Sequence, residues 1–405
     1  MLCQFTVKNF RCIRDELTLD MQAASITEHE GSLLADKDGA KFLPVAVLYG
    51  PNGGGKSTVL DALYSLIWKV IRPILAALHS ESYAGYQATE NKPFLFDGKS
   101  ISQPTEYEIF FRTKSTQYRY QLHILNDIIV YETLYKKTIE GRKYSEVFTR
   151  KDSSDIAMKG TLRSYKVAEI SDTLPLLSYL GIVYQNNEVI KDATSWFVDD
   201  IGLVNFLISL ANIKFEISNL SDTKELVLKM LKEMDVDIVD FREEKLSNDK
   251  IKVYIKHFVE GKEYELEMAE ESSGTIKLFN ILPYIIVSLQ LGLPLIIDEL
   301  DSKLHPLLLK YIISLYIDPG KNRKKAQLLF TSHDLSTMSN EIFRRDEIWF
   351  VAKDGTEATH MYSLVEFKDD NGTVRKDAVY GKQYLEGRYG ADPYFKKIIK
   401  WEDVK

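Results

Sequence analysis

Two stretches near the start of the chain alternate apolar and polar residues. Residues 4–8 and 17–21 have this period of two, which is typical of strands, and the polar segment between them predicts a turn. The same period returns over residues 105–150, where it predicts an antiparallel meander, and over 251–268, where it predicts a hairpin. Part of the protein should therefore be an antiparallel sheet.

Other segments have a helical spacing or a continuous apolar run. Apolar residues recur every third or fourth position from Val59 to Leu78, which predicts a long helix shortly after the buried strand Val45–Tyr49. An amphipathic helix is also expected at Lys224–Met234. From Ser272 to His333 the pattern is helix, strand, helix, strand, which indicates one half of an α/β core.

The most apolar stretch, residues 278–297, is long enough to raise the question of a membrane span. It contains Pro283, Gly292 and Pro294, and two acids follow it at once. These breakers favour a buried helix, a short turn and a buried strand, so we expect no membrane partner.

Composition narrows the class of protein. The chain has 405 residues, 45% hydrophobic and a net charge of −7, which allows a large core and argues against a protein that coats nucleic acid. A local basic patch stays possible, so DNA remains a possible partner. The two cysteines, Cys3 and Cys12, do not support a disulfide framework, and Lys8 and Arg11 precede any apolar leader segment. We expect a cytoplasmic protein.

A glycine-rich segment joins the buried strand to the long helix. Residues 50–57, GPNGGGKS, match the pattern G-x-x-x-x-G-K-[ST]. Glycines let backbone N–H groups approach phosphates, the helix points its N-terminus at the anion, Lys56 adds charge, and Ser57 offers a hydroxyl to Mg²⁺. A glycine-rich turn without a ligand is the alternative, but the strand and helix on either side favour an ATP site with Mg²⁺. The expected binding residues are Asn52, Gly53, Gly54, Gly55, Lys56, Ser57 and Thr58.

Two acids follow the apolar strand that ends at Ile297. Because the chain turns at a strand end, both side chains can approach one site. Asp298 is expected to hold Mg²⁺, directly or through water, and Glu299 to act as the general base on the attacking water. Two ordinary solvated acids are the alternative.

Three further residues lie after these strands. Asp301 is a candidate for contacts across a seam between two copies. His305 either belongs to that region or simply begins the next helix. His333 follows the buried strand 327–331 and is expected to hydrogen-bond the γ-phosphate and sense its presence, with an ordinary structural histidine as the alternative. With the glycine-rich segment, these residues predict ATP hydrolysis.

Small hydroxyl residues occupy residues 271–275, ESSGT, which we call the serine loop. Such residues at a helix N-terminus can bind an anion, although taken alone they are better explained as an N-cap. The loop precedes the two acids by about 25 residues, which is the layout of an ABC-type signature segment.

Together, GPNGGGKST, ESSGT, LIIDELD and the SHD histidine resemble an ABC-type ATPase head of the SMC/RecF kind. The resemblance implies an α/β P-loop NTPase head with an antiparallel meander lobe and a helical insertion. Residues 7–11, VKNFR, resemble the N-terminal element of that group, which implies that Arg11 reaches toward the nucleotide. The resemblance also implies that Ser272, Ser273 and Gly274 contact ATP held by a second copy, in a homodimer or higher homo-oligomer. ABC-type ATPases carry a Q-loop glutamine, and Gln185 is a candidate for it, with an ordinary polar turn as the alternative.

The C-terminal part is similar to RloA/AbiLi-type ATPases of bacterial anti-phage and abortive-infection loci. The similarity rests on DEIWFV at 346–351, on residues 364–367 and on YLEGRYGA at 384–391. It implies a switch or sensor in defence that controls a separate effector, such as a nuclease or toxin. Packing of the tail on the core through its tyrosines is the physical alternative for the last motif, and both can hold.

Other functions fit the sequence less well. A RecF-like DNA-repair clamp remains the alternative, since the lack of heptads excludes only a long-armed SMC protein. The meander and the tail argue against a transporter subunit. Any nuclease should be a partner chain, because no second acidic cluster or Cys/His metal spacing is found.

The motifs divide the chain into four expected segments. Residues 1–150 form an N-terminal lobe with the glycine-rich segment and the meander, and 151–250 form a mixed, partly helical insertion. Residues 251–367 form a C-terminal lobe with the serine loop, the acids and His333, and 368–405 form a tail.

Overall fold

The computed structural model describes residues 1–78, 91–167, 169–202, 221–234, 236–245, 251–369 and 372–391. In chain order the strands are β1 (Leu2–Lys8), β2 (Leu17–Asp20), β3 (Leu34–Ala35), β4 (Lys41–Phe42), β5 (Val45–Tyr49), β6 (Thr105–Arg112), β7 (Thr116–Leu125), β8 (Ile128–Thr138), β9 (Ser145–Arg150), β10 (Ile156–Met158), β11 (Asp240–Lys245), β12 (Ile251–Val259), β13 (Lys262–Glu267), β14 (Pro294–Ile297), β15 (Gln327–Thr331), β16 (Ile348–Lys353), β17 (Thr359–Ser363), β18 (Lys368–Asp369) and β19 (Gly372–Thr373). The α-helices are α1 (Lys56–Leu78), α2 (Leu176–Val183), α3 (Glu188–Ser195), α4 (Ser221–Glu233), α5 (Ser273–Leu291), α6 (Pro306–Ile317) and α7 (Tyr380–Leu385).

A seven-stranded antiparallel sheet contains the predicted meander, in the order β10-β9-β8-β7-β6-β1-β2. Its alternating apolar residues form one buried face, as Tyr118, Tyr120 and Leu122 of β7 show. This face packs in a core shared with α1, α2 and α3. The predicted meander is confirmed.

The second large sheet has the order β14-β15-β5-β16-β17, and its first four strands are parallel. It divides the interior into two cores. Val45, Val47 and Tyr49 of β5 belong to one core, whereas Ala46 and Leu48 belong to the core beneath the meander. Strands covered on both faces are apolar throughout, which explains why they appear as continuous hydrophobic runs.

The parallel strands end along one edge of this sheet. The glycine-rich segment follows β5, the two acids follow β14, and His333 lies two residues beyond β15. Ligands of open parallel sheets bind at this carboxyl-terminal edge. The fold therefore brings the predicted motifs to one place.

The apolar stretch near residue 280 forms α5, a turn and β14, as predicted. Gly292 ends the helix at φ +78°, where a Cβ would lie 2.2 Å from the carbonyl oxygen of Lys324. Within the described part of the chain, α5 alone is long and apolar enough to cross a membrane, and 50% of its most apolar window is buried inside the fold.

The insertion and the tail complete the fold. The described part of residues 151–250 contains α2, α3, a π-helical turn at Trp196–Gly202 and α4, where the sequence predicted a helix. The strand β11 joins the predicted hairpin β12–β13 as a third strand that the sequence analysis did not predict. Residues 203–220 and 392–405 lie outside the described residues.

The predicted packing of the tail is confirmed through its aromatic side chains. Tyr389 is buried and stacks on Phe350 with ring centroids 5.0 Å apart, and its carbonyl oxygen accepts a hydrogen bond from the Tyr362 hydroxyl. The predicted α/β class, with an antiparallel meander lobe and a helical insertion, is also confirmed.

Candidate functional site

The glycine loop, residues 50–55, lies so close to the β16–β17 hairpin that side chains would collide. A Cβ on Gly50 would lie 2.0 Å from the carbonyl oxygen of Val351, and one on Gly55 would lie 2.5 Å from Oγ1 of Thr359. Gly53 has φ +75° and Gly55 has φ +110°, which favour glycine. The hairpin supports one side of the loop, and the other side lines a cavity.

This cavity has a volume of about 250 Å³ and collects residues from separate segments of the chain. Its lining residues are Cys12, Pro51, Asn52, Gly53, Gly55, Lys56, Ser57, Thr58, Asp298, Glu299, His333 and Lys353. Gly54 faces the hairpin instead, since its Cβ would lie 2.8 Å from the oxygen of Val351. The structure thus brings the predicted glycine-rich segment, both acids and His333 together.

Lys56 projects its ammonium group along the glycine loop. Its Nζ donates to the carbonyl oxygens of Gly50 (2.8 Å) and Pro51 (3.1 Å). Burial lowers the pKa of Lys56, and the carboxylates of Asp298, Asp301 and Glu299 oppose that change. A cation held among carbonyl oxygens and acids is suited to bind an anion that enters the cavity.

The first turn of α1 also faces the cavity. It contains no acidic residue, and among the described residues no side chain accepts from the amides of Lys56, Ser57 or Thr58. The Cys12 thiol donates to Oγ1 of Thr58 at 3.3 Å, and the Cys12 carbonyl accepts from the Thr359 amide at 2.8 Å. An open helix N-terminus favours a negatively charged ligand.

Thr331 links the two acids. Its Oγ1 accepts from the Glu299 amide at 2.7 Å and lies 2.5 Å from Oδ1 of Asp298. Glu299 has φ +48°, and Nζ of Lys277 donates to its carbonyl oxygen at 3.0 Å. Burial lowers the pKa of Lys277. Among the described contacts, no donor reaches the Glu299 carboxylate, so this carboxylate is available to a ligand or water.

Asp301 contacts the chain that follows β15. Its Oδ2 accepts from the backbone amide of His333 at 3.0 Å, and its buried Oδ1 has no hydrogen-bond partner among the described residues. Asp301 therefore holds the loop that carries His333, whose own side chain is exposed at the cavity. A contact of Asp301 with a second copy stays a prediction.

Arg11 is not among the residues that line the cavity. Its Nη1 pairs with Oδ2 of Asp61 at 2.5 Å, one helical turn beyond Ser57, and its neighbour Cys12 lines the cavity. Burial raises the pKa of Asp61, and Arg11 acts in the opposite direction. A contact between Arg11 and a nucleotide stays a prediction.

The serine loop does not line the cavity of its own chain. Ser272 and Ser273 are exposed, and Oγ of Ser272 accepts from the Thr275 amide at 3.1 Å as the N-cap of α5. A Cβ on Gly274 would lie 3.0 Å from the carbonyl oxygen of Lys303. Within one chain, the serine loop and the glycine loop are separate surfaces.

Two weaker candidates lie elsewhere. Gln185 is exposed in the turn between α2 and α3, where its side chain donates to the carbonyl of Ile182 at 3.2 Å, so the polar-turn alternative describes it. His305 is the N-cap of α6, and its Nδ1 accepts from the Leu307 amide at 3.2 Å. His305 begins the helix, as the structural alternative predicted.

Sequence reasoning missed four residues near the site: Cys12, Lys277, Thr331 and Lys353. Cys12 directly follows the VKNFR element, and Thr331 is the last residue of a predicted strand, so their positions gave a signal that was not used. Lys277 and Lys353 carry no local pattern, because their contacts depend on α5 and the β16–β17 hairpin folding against the loops.

A comparison with known families decides the class. The family described as "AAA domain, putative AbiEii toxin, Type IV TA system" matches residues 45–339, more than half of the chain. The chain belongs to this family. The predicted class of P-loop ATPase is thereby confirmed. Among curated proteins, none matches the chain.

Solved structures resemble the chain at low identity. The SMC head domain from Thermotoga maritima is 13% identical, with TM-score 0.41, covering 89% of this chain and 98% of that one. An Smc head domain with a coiled coil and joint from Pyrococcus yayanosii is 9% identical, with TM-score 0.46, covering 96% and 99%. An Smc head domain bound to the C-terminal domain of ScpA, derived from Pyrococcus furiosus, is 9% identical, with TM-score 0.39, covering 89% and 96%. Likeness at this level does not extend to function.

Proposed function

We propose that the chain binds ATP with Mg²⁺ in the glycine-loop cavity and hydrolyses it in an assembly of two copies. One observation carries this proposal. A loop without room for side chains lies at the open N-terminus of α1, opposite two acids whose positions are fixed by Thr331. Membership in a P-loop ATPase family supports the same ligand.

The residues present fit the phosphates and the metal. Backbone amides of the glycine loop and of Ser57 and Thr58 would hold the phosphates, with Lys56 supplying charge. The Ser57 hydroxyl and the Asp298 carboxylate would hold Mg²⁺, which when bound offsets phosphate charge. Glu299 would accept the proton of the attacking water, and His333 would donate to the γ-phosphate.

The exposed serine loop supports a site completed by a second copy. Ser272, Ser273 and Gly274 stand at a helix N-terminus that does not face the cavity of their own chain. When a second copy of the chain supplies these three residues, they would close the cavity over the γ-phosphate. Asp301 and Arg11 would then lie near the interface between the two copies. ATP would then join the two copies and hydrolysis would release them.

We further propose that this cycle is a switch in bacterial anti-phage defence that controls a separate effector, a nuclease or toxin, in the cytoplasm. The family's description, which names a toxin and a toxin–antitoxin system, supports this setting, as does the resemblance of the tail to abortive-infection ATPases. Co-purification of the neighbouring gene product with and without ATP, with the mass of the complex, is the test. If no protein co-purifies in an ATP-dependent way, the proposed control of an effector is excluded.

The first catalytic test is Glu299→Gln. This change keeps the shape and removes the base, so turnover should fall by about 10²–10⁴-fold while ATP binding persists. Light scattering should show a longer-lived assembly with ATP. Unaltered turnover would exclude Glu299 as the base.

The second test is complementation between two inactive variants. Lys56→Ala inactivates the cavity of the copy that carries it, and Ser272→Arg inactivates the cavity of the second copy in the dimer. An equal mixture should regain about a quarter of wild-type turnover, because half of the dimers are mixed and each has one intact site. Ser115→Arg, at an exposed turn of the meander, is the matched control. No regain in the mixture, or normal turnover by Ser272→Arg alone, would exclude the two-copy site.

A further inference from the structure

Thr331 contacts three consecutive residues after β14. It is fully buried at the end of β15, where its hydroxyl lies 2.7 Å from the Glu299 amide and 2.5 Å from Oδ1 of Asp298. Its carbonyl oxygen accepts from the Leu300 amide at 3.2 Å. One residue of the neighbouring strand thus fixes the course of the chain through both acids.

The direction of these hydrogen bonds follows from their chemistry. A backbone N–H only donates, so the Thr331 oxygen must accept from Glu299. The single hydroxyl proton is then free to point at Asp298, whose Oδ1 accepts it. The contact orients the Asp298 carboxylate and leaves its other oxygen for a ligand.

Glu299 needs support because its backbone is in the left-handed region, at φ +48°. Residues other than glycine rarely adopt this conformation. The peptide groups on its two sides are held from different elements. Thr331 of β15 accepts from its amide, and Lys277 of α5 donates to its carbonyl oxygen at 3.0 Å.

We propose that Thr331 and Lys277 are positioning residues for the acid pair. Neither needs to touch ATP. Thr331 orients the Asp298 carboxylate and holds the peptide group on the N-terminal side of Glu299. Lys277 holds the peptide group on its C-terminal side. This inference rests on the proposed ATP hydrolysis, but the geometry it describes can be tested without activity.

The main test replaces Thr331 by valine, which keeps the branched shape and removes the hydroxyl. The kcat for ATP should fall by about 10–100-fold, as for other residues that orient catalytic ligands, and more Mg²⁺ should be required, while KM for ATP changes little. Thr331→Ser keeps the hydroxyl and should restore kcat and the Mg²⁺ requirement. Thr133→Val, which removes an equally buried strand hydroxyl in the meander, is the matched control and should behave as wild type.

Lys277→Met and Lys277→Arg test the second support. Loss of the ammonium group should lower kcat several-fold without weakening ATP binding, and arginine should recover most of it. Since Lys277 is only partly buried, the methionine variant should fold even if Thr331→Val does not. An unchanged kcat in Lys277→Met would remove Lys277 from this role.

Amide hydrogen exchange separates this inference from the proposed function. The Glu299 amide should exchange faster in Thr331→Val than in wild type, and Thr331→Ser should stay protected. If wild type hydrolyses no ATP, the proposed function fails while exchange still decides the positioning contact. If wild type hydrolyses ATP and Thr331→Val matches it in kcat, Mg²⁺ requirement and exchange, the positioning role of Thr331 is wrong and the function stands.

Discussion

The N-termini of α1 and α2 differ in whether the protein itself supplies an acceptor for their free backbone amides. At α2, the amides of Leu176 and Leu177 donate to the carboxylate of Glu132 at 2.6 and 2.9 Å, and this carboxylate is fully buried and also accepts from the Tyr120 hydroxyl. At α1, the first turn faces the cavity and receives no side-chain acceptor from the described residues. One helix end carries a built-in anion, and the other does not.

The difference separates a structural anion site from a ligand site. Both helix ends present the same partial positive charge, so both favour an anion. Where the chain supplies the carboxylate, the contact joins α2 to the meander and contributes to stability. Where it supplies only Lys56 and bare amides, the charge is left for an external ligand.

The comparison predicts that Glu132→Ala has the largest effect on stability. It removes the acceptor of two amides and the buried carboxylate 3.9 Å from the Arg150 guanidinium, which keeps the more exposed Asp172 at 4.0 Å. We expect the free energy of unfolding to fall by about 3–5 kcal/mol in urea denaturation, with unchanged ATP affinity of the folded protein. Glu140→Ala, at an exposed position of the same lobe, is the control. A loss no larger than that of Glu140→Ala would mean that Glu132 is not a structural anion.

Lys56→Met should have the opposite profile. ATP affinity should fall about 100-fold, on the order of 3 kcal/mol, because a charged donor is lost, while stability in urea stays near wild type. Lys69→Met, on the same helix and also with a pKa lowered by burial, should leave ATP affinity unchanged. If Lys56→Met unfolds as easily as Glu132→Ala, the contrast between the two helix ends fails.

Glu347 is an intermediate case that sharpens the comparison. It is buried, its Oε2 accepts from the Arg344 amide at 2.9 Å, and its Oε1 has no partner among the described residues. Burial raises the pKa of Glu347 from 4.5 to about 8. Folding therefore takes up a proton between these values, so the contribution of Glu347 to stability is fully present below about pH 4.5 and is lost as the pH rises to about 8.

Urea denaturation from pH 5 to 9 measures this dependence. Between pH 5 and about 8, wild type should lose on the order of 1 kcal/mol per pH unit relative to Glu347→Gln, which cannot ionise, and above that pH the difference should level off. Parallel curves for the two proteins would show that Glu347 titrates normally. A titration of this kind would also show that an acid with one donor is costly when charged. Burial also raises the pKa of Glu132, but three donors reach that carboxylate and oppose the change.

Thiol labelling gives the smallest effect and tests the open helix end directly. Cys3 is buried and burial raises its pKa to about 12, whereas Cys12 lines the cavity. A maleimide should therefore modify Cys12, and ATP with Mg²⁺ at ten times its Kd should slow the reaction about tenfold. Cys12→Ser should abolish labelling. An equal rate with and without ATP would place the nucleotide elsewhere.

The sequence predicted what depends on local order. Period-two alternation predicted the meander, and the glycine loop was predicted because its residues are contiguous between a buried strand and a helix. Strand ends predicted that the acids and His333 would meet. The strand β11 was missed because DFREEK has one buried apolar residue, Phe241, and is stabilised across strands by pairs such as Arg242 with Glu265 at 2.7 Å.

Contacts between distant segments were beyond the sequence. The Thr331 contact with Glu299 spans 32 residues and depends on the parallel register of β14 and β15. The pairing of Arg11 with Asp61 spans 50 residues and depends on how the turn after β1 meets α1. Such contacts follow from packing, which no single motif encodes.

The hairpin behind the glycine loop affects how deletion experiments should be interpreted. Val351 and Thr359 lie beyond residue 339, where the family match ends, and the Gln327 side chain bonds both the amide and the carbonyl of Leu2. A fragment trimmed to the matched range would lack the surface that shapes the loop. Loss of nucleotide affinity in such a fragment would report a missing scaffold, even though every predicted phosphate-contacting residue had been kept.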